Sequence, residues 1–317
     1  MKPTVLILGA RGRFGLAAAR AFSEAGWNVL GQIRPGASAS LAGVQWLPID
    51  LAGGAALAQA ARGASVVVHA LNPPYPQWAR QVPLLMDAAI DVAKALDATL
   101  MFPGNVYNYG ASMPPVLNEE TPQRPSTRKG ALRVAVEQRL IDSGVRSVVI
   151  RAGDYFGSGR GSWFDIALAK DIQSGKMIYP GAMDIATSWA YLPDLARSFV
   201  AVADRLAQDP DALPRHASFC FAGHQLTGND WAQLMQAQAQ EQGWLAAGQS
   251  LKIGRMPWWL IKSLSFAVPM FRELLEMRYL WHTPYALSGD KLADFIGVQP
   301  VTPLPQALRA AFADLGK

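Results

Sequence analysis

The chain has 317 residues, 50% hydrophobic and 17% charged, with 28 Gly, 22 Pro and a formal net charge of +5. That length gives one large domain or two small ones with ample core, and the composition excludes a disordered chain, a collagen-like repeat and a small stapled scaffold. The 29 Lys and Arg residues form no dense block, which argues for a small anionic ligand and against a nucleic-acid track.

The single Cys220 permits no internal disulfide and fits a reducing compartment. The apolar run Val5 to Leu8 is followed at once by Arg11 and Arg13, without the cleavage site of an export signal. Pro257 to Phe271 is interrupted by Lys262 and Pro269 and falls short of a membrane span. The expectation is a soluble cytoplasmic protein with no nucleic-acid partner and no membrane span.

Along the chain, strand-like and helix-like segments alternate. Thr4 to Leu8 is an apolar run suited to a buried parallel strand, and Leu16 to Ala25 reads as a helix ending at Gly26. Asn28 to Ile33, Val44 to Ile49, Ser65 to Ala70, Thr99 to Phe102 and Arg146 to Arg151 are further strands. Gly54 to Arg62 and Gln77 to Leu96 read as helices, and Ser126 is placed to cap another running to about Ser143. Strands separated by single helices require crossover connections, which build a parallel sheet covered on both faces. Beyond Arg151 the pattern loosens. Helices are expected over Leu192 to Leu206 and Gly228 to Gln242, a return strand at Ala217 to Phe221, and an aromatic, Met-rich helical region over Pro257 to Trp281.

The most informative segment is Gly9-Ala10-Arg11-Gly12-Arg13-Phe14-Gly15, a G-x-x-G-x-x-G spacing between a strand and a helix. Glycines there permit a tight turn and close approach of backbone to a pyrophosphate, and the helix start offers free N–H groups to that anion. An NAD reader places Asp or Glu about 20 residues on, for the ribose 2′-OH. This chain has Gln32-Ile33-Arg34 at that place and Arg11 inside the loop. Arginine suits a 2′-phosphate, so NADP(H) is expected over NAD(H), unless Arg11 and Arg34 are merely solvated charges. Asp50, before Leu51, can accept a hydrogen bond from an adenine amino group; it suits a helix N-cap equally well. After the fourth strand, small Ala70 leaves room for a cofactor beside Leu71 and Asn72, and His69 is given no role.

These residues, with Gly104-Asn105-Val106-Tyr107, Arg151 to Gly157 and Trp189 to Leu195, resemble the extended short-chain dehydrogenase/reductase superfamily, which contains nucleotide-sugar epimerases and dehydratases. The resemblance implies an α/β fold: a Rossmann-type doubly wound parallel sheet with a smaller, mostly helical C-terminal substrate portion. Residues 1–160 would bind the dinucleotide, with returns at about 185–242. Residues 161–184 and 243–317 would form the substrate-binding or lid portion.

The superfamily's chemistry normally uses a Ser or Thr after the fifth strand and a Tyr-x-x-x-Lys pair on the next helix. This chain departs at all three places, with Asn105, Lys129 and Arg133. The resulting Lys-x-x-x-Arg looks like the atypical members, including relatives of NmrA-type redox regulators. Spacing of i, i+4 keeps both cations on one helix face. Arg133, always protonated and with five donors, suits the ribose and phosphates. Lys129 is a candidate proton donor if its pKa is lowered. The tyrosines at the strand ends are a second source: Tyr107 and Tyr109 after the fifth strand and Tyr155 after the sixth, with Tyr107 the first choice and packing the competing role of each. The competing reading makes Lys129 and Arg133 a solvated basic face.

Trp258, Trp259, Phe266, Phe271, Trp281 and Tyr285 crowd the C-terminal region with Met256, Met270 and Met277. Such spacing makes core or a lid, and as a lid it would form an apolar pocket. No paired metal-ligand spacing occurs among the four His. The expected function is an NADPH-dependent oxidoreductase acting on a small, fairly apolar carbonyl or enone. The alternatives are a catalytically silent dinucleotide-sensing regulator that binds a protein partner, or an epimerase/dehydratase that recycles its cofactor. A homodimer is a further expectation.

Overall fold

The computed structural model describes residues 2–246 and 248–317; Met1 and Ala247, within the expected 1–160 and 243–317 portions, lie outside it. Seven strands form one sheet: β1 (Thr4–Leu8), β2 (Asn28–Gln32), β3 (Val44–Leu47), β4 (Val66–His69), β5 (Thr99–Asn105), β6 (Ser147–Ala152) and β7 (His216–Cys220). Their spatial order is β7-β6-β5-β4-β1-β2-β3, and every neighbouring pair is parallel. This is the Rossmann-type doubly wound sheet, and its strand order reverses between β1 and β4.

Both faces of the sheet are buried, which is why the strands read as continuous apolar runs. Along β1, Leu6 and Leu8 enter a core that also holds Leu57, Trp78, Met86 and Leu140. Those four come from α2 (Gly54–Ala60), α3 (Trp78–Leu96) and α4 (Arg128–Asp142). Val5 and Ile7 point the other way, onto Phe22 and Phe199 of α1 (Arg13–Glu24) and α5 (Leu192–Gln208). Parallel strands bring all their C-terminal ends to one edge, and the segments after β1, β4, β5 and β6 meet there.

The helix start at α4 differs from the expected one by a residue. Thr127, not Ser126, is the N-cap, its hydroxyl accepting from the Gly130 N–H at 3.0 Å. The Ser126 hydroxyl accepts instead from the Ala111 N–H at 2.9 Å, tying down the preceding loop.

Phe156, Phe164, Trp189, Trp231, Trp281 and Phe312 form a third, aromatic core, with Trp189 and Trp231 edge to face at 4.9 Å. Short strands at Asp154–Phe156, Thr187–Tyr191 and His224–Leu226 form a small sheet beside it. The remaining helices are α6 (Gly228–Glu241), α7 (Trp258–Leu264), α8 (Pro269–Glu276), α9 (Asp290–Ile296) and α10 (Leu304–Asp314). The aromatic region is therefore two short helices rather than one long one, because Pro269 suits the first turn of α8 and cannot continue α7.

Candidate active site

The glycine loop closes β1 onto α1. Gly9 has φ +74°, and a Cβ on Gly15 would stand 2.4 Å from the Gly9 carbonyl oxygen, so neither position admits a side chain without displacing the loop. Gly12 is the N-cap of α1 and carries no side-chain cap, which leaves first-turn N–H groups open to an anion. Arg11 is exposed. Arg13 turns away from the loop mouth and donates to the Gly157 carbonyl at 2.8 Å, linking the segments that follow β1 and β6. The Phe14 ring lies in the core, 4.9 Å from Phe199, so only its backbone faces a ligand. Leu71 packs over Gly9, Ala70 is half-buried, and Asn72 is exposed.

Gln32 has a role that its sequence position does not announce. Its side-chain oxygen accepts from the Gly9 N–H at 3.0 Å, and its amide donates to the Ile33 and Ile49 carbonyls. A neutral buried amide thus braces the loop at the end of β2. Arg34, two residues on, is exposed. The Asp50 carboxylate caps the short helical turn that begins at Leu51, accepting from the Ala52 N–H at 2.8 Å.

The two cations of α4 are both buried, Lys129 at 3% and Arg133 at 8% exposure, so they do not form a solvated face. The Lys129 ammonium is engaged by the carboxylates of Glu273 and Glu276 on α8, the latter at 2.7 Å, and its backbone N–H donates to Glu276 at 2.9 Å. This arrangement differs from that expected of a proton donor, because the ammonium is spent on two carboxylates and the Glu273 carbonyl and is not free to reach a substrate. Arg133 has no ion-pair partner among the described residues. Its guanidinium lies over the rings of Trp78 and Phe102, with centroids at 4.7 and 5.1 Å, and its Nε is a buried donor without an acceptor. Burial lowers its pKa from the usual arginine value. A second buried arginine, Arg151, is neutralised by Glu137, so that carboxylate is already committed.

Asn105 closes β5 with its side-chain oxygen on the Tyr107 N–H at 3.1 Å, a capping role. The Tyr107 hydroxyl shares a 2.7 Å hydrogen bond with that of Tyr75. Burial pushes the Tyr107 phenol well above its ordinary pKa, so it gives up its proton less readily than a free phenol. His69 is buried, beside Phe102, and burial reinforced by Arg133 drops its pKa to about 3. It is neutral at physiological pH.

Asp154 is the feature that sequence reading misses, although its neighbour Tyr155 is one of the tyrosines it offers. Burial alone raises the Asp154 carboxyl to about 7. Tyr75, Tyr107, Tyr155, Tyr179, Tyr279 and Tyr285 all lie close enough for its charge to raise their pKa values. The Tyr155 hydroxyl donates to the Gly104 carbonyl at 2.8 Å. Those of Tyr279 and Tyr285 are buried and without partners among the described residues. The only sequence signal was position: Asp154 lies in the Arg151–Gly157 run, next to a tyrosine. A cleft of about 700 Å³ opens between Tyr179, Met183, Asn229, Arg255, Trp258 and Arg278, and Tyr179 belongs to both cleft and tyrosine cluster. Among the described residues no group of three or more His, Cys, Asp or Glu is placed to hold a metal ion, and no helix is long and apolar enough to cross a membrane.

A doubly wound sheet with a glycine loop at its switch point, and a buried cation without an ion-pair partner among the described residues packed against Phe102 of β5, defines a nucleotide-binding α/β protein of the extended short-chain dehydrogenase/reductase type. The chain matches the model of the NAD dependent epimerase/dehydratase family over residues 5–213, and it belongs to that family. No curated protein matches it. Among solved structures it is similar to a Burkholderia cenocepacia protein provisionally assigned as an epimerase, at 20% identity and TM-score 0.74 over 99% of each chain. It is also similar to the UDP-glucose 4-epimerase of Brucella ovis in complex with NAD, at 16% identity and TM-score 0.72, covering 99% of this chain and 98% of that one. The Bordetella bronchiseptica enzyme WbmH in complex with NAD+ is 17% identical, with TM-score 0.72 and the same coverage. At these identities the likeness is one of fold.

Proposed function

We propose that this protein is an NADPH-dependent oxidoreductase that reduces a carbonyl or activated alkene in a small, fairly apolar substrate. The observation that carries the reading is Arg133, a buried guanidinium with an orphaned donor and no counter-ion among the described residues. An uncompensated buried charge is costly to a fold unless a ligand satisfies it. The glycine loop and the open first turn of α1 suit the pyrophosphate, and Arg133 suits the ribose and phosphate oxygens beyond it. Arg11 and Arg34, exposed on the adenosine side, suit a 2′-phosphate, and the neutral Gln32 offers it no repulsion. Bound in reduced form, such a dinucleotide supplies a hydrogen with its electron pair to the substrate carbon.

The substrate side favours an uncharged, aromatic-compatible molecule. Trp78, Tyr75, Tyr107 and Tyr155 give flat apolar walls with few polar tips. A diphosphate beside Asp154 would hold that carboxyl protonated at best and be repelled at worst, which weighs against a nucleotide sugar. A second reading, an epimerase or dehydratase that recycles its cofactor, is favoured by the family and by the UDP-sugar epimerases among its structural neighbours. Incubating the pure protein with NADPH and a panel of aldehydes, ketones, quinones and enones tests the choice at the nicotinamide absorbance. Turnover supports the oxidoreductase. Dinucleotide binding with silent absorbance, but sugar isomers in the product, would replace it with the epimerase. Binding without either would leave a sensor.

A further inference from the structure

Reduction of a carbonyl requires a proton at oxygen, and the side chains nominated by the motif are engaged elsewhere: Lys129 between Glu273 and Glu276, Tyr107 against Tyr75. One acidic side chain at the same edge is unengaged. Asp154 stands two residues beyond β6, on the short strand Asp154–Phe156, with Trp189 of the neighbouring strand opposite it. The next residue, Tyr155, is anchored to Gly104 of β5, which fixes this segment at the rim where β5 and β6 end. That rim is where ligands sit in a doubly wound sheet.

The titratable groups whose ionisation the Asp154 charge disfavours are all phenols: Tyr155 on its own strand, Tyr75 and Tyr107 after β4 and β5, Tyr179 on the strand Lys176–Tyr179, and Tyr279 and Tyr285 in the connection between α8 and α9. Among the described residues no cation or hydrogen-bond donor holds the carboxyl in its ionised form; burial raises its pKa to about 7. Tyr279 and Tyr285 have buried hydroxyls that lack partners among the described residues. A carboxyl poised near the working pH, on an anchored segment at the strand-end rim and without a hydrogen-bond partner among the described residues, is what general acid catalysis needs.

We infer that Asp154 is the catalytic acid–base of the site, donating its proton to the carbonyl oxygen of the substrate. The inference rests on the oxidoreductase reading. With NADPH bound, the carbonyl carbon would take its hydrogen and electron pair from the dinucleotide and the C=O π pair would move to oxygen, which would form its bond to hydrogen as the Asp154 O–H bond breaks. The alcohol leaves, and the carboxylate regains a proton from water.

Asp154→Asn keeps the shape and removes the titrating proton. Three measurements on the full chain test it: NADPH affinity by calorimetry, kcat against pH, and melting temperature against pH without ligand. The wild-type kcat should fall as pH rises past about 7, and the variant should lose about 100-fold or more in kcat with little change in NADPH affinity. The raised pKa means the folded state prefers the protonated acid. Stability from this group is therefore full below the unfolded value near 4 and is lost as pH rises through the folded value. The melting temperature of Asp154→Asn should accordingly gain on the wild type between pH 5 and pH 8. A variant with kcat within a few-fold of the wild type overturns the inference. Parallel melting curves with an active wild type overturn it too, without touching the oxidoreductase reading. A wild type that binds NADPH and reduces nothing in the panel brings down that reading, and this role with it.

Discussion

Lys129 and Arg133 stand one turn apart on the same buried face of α4, yet the first is held by two carboxylates and the second by none among the described residues. The difference sorts two cations that the motif presents as a pair. Lys129 fastens α8, and with it the aromatic C-terminal portion, to the nucleotide fold. Arg133 has only the ring faces of Trp78 and Phe102 beside its guanidinium.

The first expectation concerns the fastening. Lys129→Met would leave Glu273 and Glu276 facing only the exposed Arg128. Breaking a buried pair by removing one partner costs roughly 3 kcal/mol or more, which urea unfolding would register. Neutralising the acids as well, with Glu273→Gln and Glu276→Gln, should recover most of it. A Lys129→Met chain of unchanged stability that lost all turnover would return Lys129 to the chemistry.

Arg133 should behave in the opposite way. Arg133→Met removes a buried charge that has only ring faces for company, at 4.7 and 5.1 Å. The ligand-free protein should keep its stability or gain on the order of 1 kcal/mol. Dinucleotide affinity should drop by roughly 10- to 100-fold, the worth of a charged hydrogen bond of about 1.5–3 kcal/mol. Calorimetry on the same preparation measures both. Undiminished affinity would sink the assignment of this residue.

The sheet was legible in the sequence because a strand buried on both faces must be apolar at every position, and Val5 to Leu8 and Val66 to Val68 are. The glycine loop was legible because its geometry excludes side chains at Gly9 and Gly15. What lies behind the motif was not. Glu273 is 144 residues from the Lys129 it holds, and no local spacing connects them. Gln32 reads as an absent acid, whereas its amide braces the loop from within. Asp154 became visible only in the folded chain, since burial, not sequence neighbourhood, sets its pKa.

Cofactor choice gives the next expectation. Arg34→Ala and Arg11→Ala should each weaken NADPH binding by roughly 10-fold, through loss of a charge-assisted contact to the 2′-phosphate. NADH binding should change little, so the ratio of the two dissociation constants is the measurement. If both variants bind the two coenzymes in the wild-type ratio, the arginines are surface charges.

His69 supplies a pH dependence of opposite sign to that of Asp154. Its folded pKa of about 3 lies below the ordinary 6.5 because the ring is buried near Arg133. The unfolded chain therefore takes up a proton that the folded chain refuses. The stability tied to the neutral ring is complete above the unfolded value and is lost as pH falls toward the folded one. At pH 5 that loss amounts to roughly 2 kcal/mol. His69→Gln, which cannot titrate, should be less stable than the wild type at pH 8 but should lose less on acidification, so the two unfolding free energies converge by about that amount near pH 5. A gap that stays constant over this range would mean that the ring is solvated in the native protein, and that Arg133 has more room around it than its burial implies.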